Sequence, residues 1–213
     1  MIALAQQIAT DLLQIGAVSL SPDEPFTWAS GIKSPIYTDN RVTIGYPAVR
    51  SRIAAGLAQQ IISAYPDVEV IGGVATAGIP HAALVAQLLN LPMIYVRSKP
   101  KDHGQGQQIE GPLEAGAKVV LIDDLLSTGG SVLQAVSAAQ TAGAEVLGVA
   151  AIFTYELPDN VKNFDQASIP FVTLTNYSSL IAVAEQQGRI TAQQLASLQR
   201  WRQDPHHWPQ ENH

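Results

Sequence analysis

The sequence predicts an α/β fold, with a central, mostly parallel sheet flanked by helices and a small N-terminal hood. Three observations predict it. From Pro47 onward, strand-like runs alternate with amphipathic helical stretches. The runs VEVIGGV, KVVLIDD and EVLGVAAIF are almost continuously apolar, as strands covered on both faces must be. A chain of 213 residues with 46% apolar content can bury one core of this kind.

The elements follow in order. IALAQQIATDLLQIGAV carries apolar residues at helical spacing, predicting a helix over about residues 2 to 15. The turn-rich SPDEPFTWAS breaks it, and short strands are expected near Phe26 to Trp28 and Ile36 to Thr38. Residues 1–45 are read as the hood. The α/β core over 46–175 then runs as helix (AVRSRIAAGLAQQIISAY), strand (VEVIGGV), helix (PHAALVAQLLN), strand (MIYV), strand (KVVLIDD), helix (GGSVLQAVSAAQTAG) and strand (EVLGVAAIF). Between MIYV and KVVLIDD lies RSKPKDHGQGQQIEGPLEAG, a long basic, glycine-containing stretch that is either a functional lid or disordered. Residues 176–213 add helices at SSLIAVAEQQGRI and TAQQLASLQRWRQ, with Thr191 as an N-cap, and a polar tail. The whole is expected to be one domain without repeats.

Composition excludes several functions. The chain has no cysteine, which removes disulfides, thiolate metal sites and a sulfur nucleophile and fits a reducing cytosol. The N-terminus lacks the basic start of a signal peptide and the apolar runs are too short for a membrane span, so a soluble, cytoplasmic protein is expected. A net charge of −6 with 12 Lys plus Arg argues against a nucleic-acid partner.

The chemistry concentrates in VVLIDDLLSTGGS, Val119 to Ser131, where an apolar strand leads into Asp123 and Asp124 and then a small-residue turn. Ligands of open parallel sheets bind beyond the carboxyl ends of the strands. Leu125 to Ser131 are read as a short loop opening a helix near Gly129. Free amides and the positive helix end there suit a phosphate, and Ser127, Thr128 and Ser131 add hydroxyls. The two carboxylates can accept hydrogen bonds from vicinal sugar hydroxyls or attract a hydrated Mg2+. Together they describe a receptor for ribose 5-phosphate. The string has neither the lysine of a P-loop nor the spacing of GxGxxG. For the acid pair taken alone, a helix cap beside a strand end is the simpler reading.

VVLIDDLLSTGGS resembles the phosphoribosyl-pyrophosphate signature of type I phosphoribosyltransferases. FTWASGIKSPIYTDNR, Phe26 to Arg41, resembles the N-terminal segment of orotate phosphoribosyltransferases, and VRSKPKDHGQGQQIEG, Val96 to Gly111, their mobile catalytic loop, residues 97–112. The resemblance implies transfer of ribose 5-phosphate from phosphoribosyl pyrophosphate to orotate, giving orotidine 5′-monophosphate and pyrophosphate, with Mg2+. It implies that Arg97, Lys101 and His103 contact the pyrophosphate, reaching into the neighbouring subunit of a homodimer, with Asp102 as a proton-transfer partner. Asp123 and Asp124 then take the ribose hydroxyls and steady the metal through substrate or water. Leu125, Leu126, Ser127, Thr128, Gly129, Gly130 and Ser131 bind phosphoribosyl pyrophosphate, with the amides and hydroxyls of Ser127 to Ser131 taking its 5′-phosphate. Ser127 also touches the orotate ring, and Tyr37 either stacks on that ring or fills the hood. Cations on the leaving group stabilise the transition state above the ground state, and loop closure excludes water.

The chain departs from the family pattern where Ala29, Ala77 and Ser98 replace lysines, with Lys33 and Lys99 nearby, and where Tyr155 stands for an arginine that pairs with the orotate carboxylate. The acid-pair turn is shared with phosphoribosyltransferases for other bases, and would equally serve a non-catalytic regulator that binds phosphoribosyl pyrophosphate. His81, Trp28, Trp201 and Trp208 are read as packing residues, and the tail histidines as having no specific role.

Overall fold

The structure is a computed structural model, and it describes residues 3–28, 31–99 and 108–208. Helix α1 (Leu4–Gln14) leads into strands β1 (Val18–Leu20), β2 (Phe26–Thr27), β3 (Lys33–Ser34) and β4 (Ile36–Thr38), then a 3-10 helix, Asn40–Gly45. The alternating units follow as α2 (Pro47–Ala64), β5 (Val70–Val74), α3 (Gly78–Leu89), β6 (Met93–Val96), β7 (Ile109–Glu110), β8 (Lys118–Leu126), α4 (Gly130–Thr141) and β9 (Glu145–Thr154). Helix α5 (Pro158–Ala167), β10 (Phe171–Asn176), α6 (Tyr177–Gln186) and α7 (Ala192–Gln203) complete the chain.

The main sheet has the order β10-β9-β8-β5-β6-β7 and is parallel except for β7, which pairs antiparallel with β6. Its apolar strands divide their side chains between two faces, as a period of two requires. Val120, Ile122, Ala150 and Ile152 face a core shared with α1, α2, α3 and α6. Val119, Leu121, Val149 and Ala151 face a second core with α4 and Phe164 of α5. That two-sided burial is why these strands read as unbroken apolar runs.

From β5 the chain moves outward to β6 and then returns to β8 on the other side, so β5 and β8 flank the point where the winding reverses. Their carboxyl ends form the natural crevice of the fold.

Beyond the sequence expectation are β1, β3, the 3-10 helix, β7, α5 and β10. The expected long loop after β6 is a hairpin at its base: Tyr95 pairs with Glu110 and Val96 with Ile109, and the Arg97 amide donates to the Gln108 carbonyl at 2.8 Å. Helix α1 packs on β10 and α6, burying Ile8 and Leu12 completely. The part of the N-terminal segment that approaches the crevice therefore starts at β1.

Several contacts fix that segment to the core. Trp28 stacks against Tyr155 at 5.1 Å and edge-on against Trp201 at 5.6 Å, while the Trp201 indole N–H donates to the Lys33 carbonyl at 2.9 Å. The Thr43 hydroxyl donates to the Asn40 carbonyl at 2.6 Å, and His81 Nε2 approaches the Thr43 Oγ1 atom at 3.4 Å. With Thr43's proton already given away, Nε2 is the donor of that contact. Burial lowers the His81 pKa to about 4, so the ring is neutral and structural, as expected.

Gly78, the first residue of α3, lies against β8: a Cβ there would stand 2.2 Å from the Ile122 carbonyl oxygen and 3.2 Å from Asp123 Cα. Gly45, by contrast, has open space around it. Gly78→Ala is expected to lower stability by at least ~2 kcal/mol and Gly45→Ala by no more than about 0.5 kcal/mol. Denaturant midpoints of the two variants check this; equal midpoints would mean that α3 and β8 are not in such close contact.

Candidate active site

The site is built at the end of β8. Asp123 is 7% exposed and Asp124 partly buried. Asp124's own amide donates to Asp123 Oδ1 at 2.9 Å, which turns the first carboxylate back along the strand end. Burial raises both carboxyl pKa values; the adjacent Asp124 charge adds to the rise at Asp123, which is carried to about 7. The pair is held where its charge is costly, and hydroxyl donors or a cation would relieve it.

Leu125 and Leu126, expected to open the loop, instead continue the strand, pairing with Phe153 and Thr154 of β9. Leu126 is almost fully buried. Their apolar side chains find places in the two cores, so the ladder runs two residues past the acid pair. The loop proper is Ser127 to Gly129, and Ser131 lies in the first turn of α4. Gly129, the N-cap, has φ +80°, and a Cβ on it would meet the Phe164 ring at 2.7 Å and Asn160 Oδ1 at 3.0 Å. Glycine is required there twice over. Asn163 of α5 donates to the Thr128 carbonyl at 2.9 Å and holds the turn from outside. The first-turn amides of α4 thus face the crevice side of the sheet beside the acid pair, with the positive helix end behind them.

The N-terminal segment reaches this point directly. Asn40, fully buried, donates from Nδ2 to the Asp124 carbonyl at 2.7 Å. On its two sides, Asp39 and Arg41 form a two-pronged ion pair, Nε to Oδ1 at 2.7 Å and Nη2 to Oδ2 at 2.9 Å. Arg41 is beside the acids closely enough to lower Asp124's pKa against the rise from burial. Asp39, Asn40 and Arg41 were not singled out as site residues by sequence reasoning. Their position at the end of FTWASGIKSPIYTDNR was the available signal.

Tyr37 is 48% exposed on β4 and touches the Phe26 ring at 5.7 Å, so it presents a ring to solvent rather than filling the hood. Tyr155 is buried in the aromatic cluster with Trp28, Phe153 and Trp201, and burial raises its hydroxyl to about 12. On the other side of the crevice, the turn after β5 carries Thr76 and Ala77, and the Ala75–Thr76 peptide bond is cis. Arg97 leaves the end of β6 with its guanidinium 3.7 Å from Glu110. Lys101, Asp102 and His103 lie outside the described residues, as does Ala29. The described residues therefore bring together the acid pair, the turn from Ser127 to Ser131 and the segment from Tyr37 to Arg41.

Because the folded-state pKa of Asp123 is raised, the folded protein binds its proton more tightly than the unfolded chain does, and stability from this group falls as pH rises from about 4 to about 7. Asp123→Asn removes the charge and keeps an acceptor for the Asp124 amide. It is expected to melt higher than the unaltered chain at pH 8, by on the order of 2–4 °C per kcal/mol relieved, with the gap closing towards pH 4. Calorimetric melting across this range checks it; a variant that melts lower at pH 8 would mean that the pair is already compensated.

Comparison with known proteins agrees with this geometry. Residues 48–172 match the phosphoribosyl transferase domain family. An orotate phosphoribosyltransferase of Levilactobacillus brevis is 65% identical over 204 residues, covering 96% of this chain and 97% of its own. One from Enterococcus faecalis is 60% identical over 208 residues, 98% of this chain and 99% of that protein. Among solved structures, an orotate phosphoribosyltransferase from Aeropyrum pernix superimposes with a TM-score of 0.73 at 26% identity, covering 86% of this chain and 99% of that one. A chain with this crevice, matched across nearly its whole length by such relatives, belongs to the orotate phosphoribosyltransferases of the phosphoribosyl transferase family.

Proposed function

We propose that the protein transfers ribose 5-phosphate from phosphoribosyl pyrophosphate to a ring nitrogen of orotate, yielding orotidine 5′-monophosphate and pyrophosphate for pyrimidine nucleotide synthesis. The observation that carries this reading is the juxtaposition of the buried acid pair, the amide turn at α4 and the Tyr37–Arg41 segment at the sheet's switch point. The identity to relatives named for orotate, 65% and 60% over nearly the full chain, supports orotate over another base.

The residues divide the work. Asp123 and Asp124 accept hydrogen bonds from the ribose hydroxyls, which relieves carboxylates that burial has left poorly solvated. The amides and hydroxyls of Ser127 to Ser131 hold the 5′-phosphate at the end of α4, while Leu125 and Leu126 set the turn's position by anchoring the strand. As the bond from C1 to pyrophosphate breaks, the sugar gains oxocarbenium character and negative charge accumulates on the leaving group. Arg97, Lys101 and His103 of the loop after β6 meet that charge, and Asp102 beside them is the transfer partner for the proton that the orotate ring nitrogen gives up as it bonds to C1. Tyr37 and Ser127 flank the base. The orotate nitrogen attacks C1 directly, with no covalent enzyme intermediate.

The acid pair fits Mg2+ held through water and substrate oxygens. Among the described residues no group of three or more His, Asp or Glu side chains could cage a metal ion, and Asp123 and Asp124 are the side chains we assign to it. The metal, when bound, supplies neutralising charge to the pyrophosphate.

We further propose a single-domain enzyme that works in the cytoplasm as a homodimer whose loops cross into the partner's site. Among the described residues no helix is long and apolar enough to cross a membrane.

The shared loop has a direct consequence. Lys101→Ala and Asp123→Asn should each cut turnover by about 10²-fold or more when pure. When the two are mixed and allowed to exchange subunits, half of the dimers are mixed and each holds one complete site. Activity should return to about a quarter of the unaltered level. Steady-state turnover of the mixture checks it; no recovery despite demonstrated exchange would place each loop on its own subunit's site.

A further inference from the structure

The proposed reaction brings a base that carries its own carboxylate into a site that already holds Asp39, Asp123 and Asp124, so this substrate must meet a cation. We propose that Arg41 recognises the orotate carboxylate through the guanidinium edge that Asp39 leaves free, and thereby sets the preference for orotate over bases without a carboxylate. This rests on the reading of the reaction given above.

A guanidinium offers two edges, each able to grip a carboxylate with parallel N–H bonds. Asp39 occupies the edge made by Nε and Nη2. Among the described residues no hydrogen bond engages Nη1, so the end-on edge of the fork is open, and the Arg41 side chain is 65% exposed. Asp39 also accepts from the Arg41 backbone amide at 3.1 Å. The side chain is thus oriented before a ligand arrives, which reduces the ordering cost of binding.

The position is right for the base rather than for the phosphates. The neighbouring Asn40 is bonded to the Asp124 carbonyl, and the exposed Tyr37 ring stands on the same segment. A base joined to a sugar whose hydroxyls rest on the acid pair lies next to this segment. Asp39 raises the Arg41 guanidinium pKa, and the nearby Asp124 adds to the rise.

Among the described residues, three other cations near the hood or Tyr155 are committed elsewhere. Lys33 Nζ donates to the Thr27 hydroxyl at 2.8 Å within the β2–β3 ribbon, Arg202 is held by Glu156 and Ser178, and Arg50 donates to the Ile44 carbonyl at 2.9 Å. Tyr155 is buried in the aromatic cluster and offers no charge.

Orotidine 5′-monophosphate and uridine 5′-monophosphate differ only by the carboxylate, so their affinities for the unaltered protein and for Arg41→Ala form a closed cycle. Loss of the fork should lower the orotidylate-to-uridylate affinity ratio by at least ~10-fold, with uridylate affinity unchanged within about twofold. The KM for orotate should rise while that for phosphoribosyl pyrophosphate holds, and Arg41→Lys should restore only part of the ratio, since a point charge cannot make the two-pronged contact. An unmoved ratio, or equal weakening of both nucleotides, would overturn the assignment. Turnover of orotate by the unaltered protein is a separate readout: its absence would count against the reaction, whereas normal turnover with an unmoved ratio counts against Arg41 alone.

Discussion

Two adjacent carboxylates are kept at the buried end of a central strand, and the rest of the structure is organised around that arrangement. Water would solvate Asp123 and Asp124 well; the fold withholds it and lets their pKa values rise instead. The cost is tolerable because the strand around them is strongly anchored. β8 pairs with β5 on one side and β9 on the other, and Val119, Val120, Leu121 and Ile122 are fully buried. A pair that has lost solvent, with a backbone amide donating to Asp123, suits a ligand rich in hydroxyl donors.

Three neighbours define the geometry around the pair. Helix α3 comes so near that only glycine fits at position 78, and α4 begins at a left-handed glycine lodged against Phe164 and Asn160. The third neighbour, the segment from Asp39 to Arg41, arrives from the N-terminal part of the chain and bonds to the Asp124 carbonyl through Asn40. The aromatic cluster of Trp28, Tyr155, Tyr177 and Trp201 makes that arrival reproducible, since it joins the hood, the end of β9 and the last two helices in one packed group. As a buried ring in this cluster, Tyr155 serves the core.

The parallel core was legible because strands buried on both faces leave an unbroken apolar signature, and the acid pair was legible because it interrupts one. Thr191 was legible as a cap for the same local reason: its hydroxyl and the Gln194 side chain complete a reciprocal pair of bonds across the first turn of α7. Helix α5 and strand β10 were not, since PDNVKNFDQA buries only Asn160 and Phe164 and FVTLTN mixes polar with apolar residues. β7 is two residues long and exists through its pairing with β6, which no local pattern announces. Leu125 and Leu126 were read as loop because they follow two acids, whereas the tertiary structure rewards their burial by extending the strand. Asn40 acts through a contact across more than eighty positions of sequence, and such contacts carry no periodic signal.

The most direct measurement of the central idea, that the acid pair stays partly protonated until a ribose phosphate relieves it, is the proton balance of ligand binding. Titration calorimetry of phosphoribosyl pyrophosphate with Mg2+ near pH 7, in buffers of different ionisation enthalpy, gives the protons released per site, and Asp123→Asn measured alongside cancels the ligand's own contribution. The unaltered protein should release more protons than the variant, by a fraction of one proton at pH 7, with the difference vanishing well above pH 8. Equal release by the two at pH 7 would contradict the account, because Asp123 would then be fully ionised before the ligand arrives.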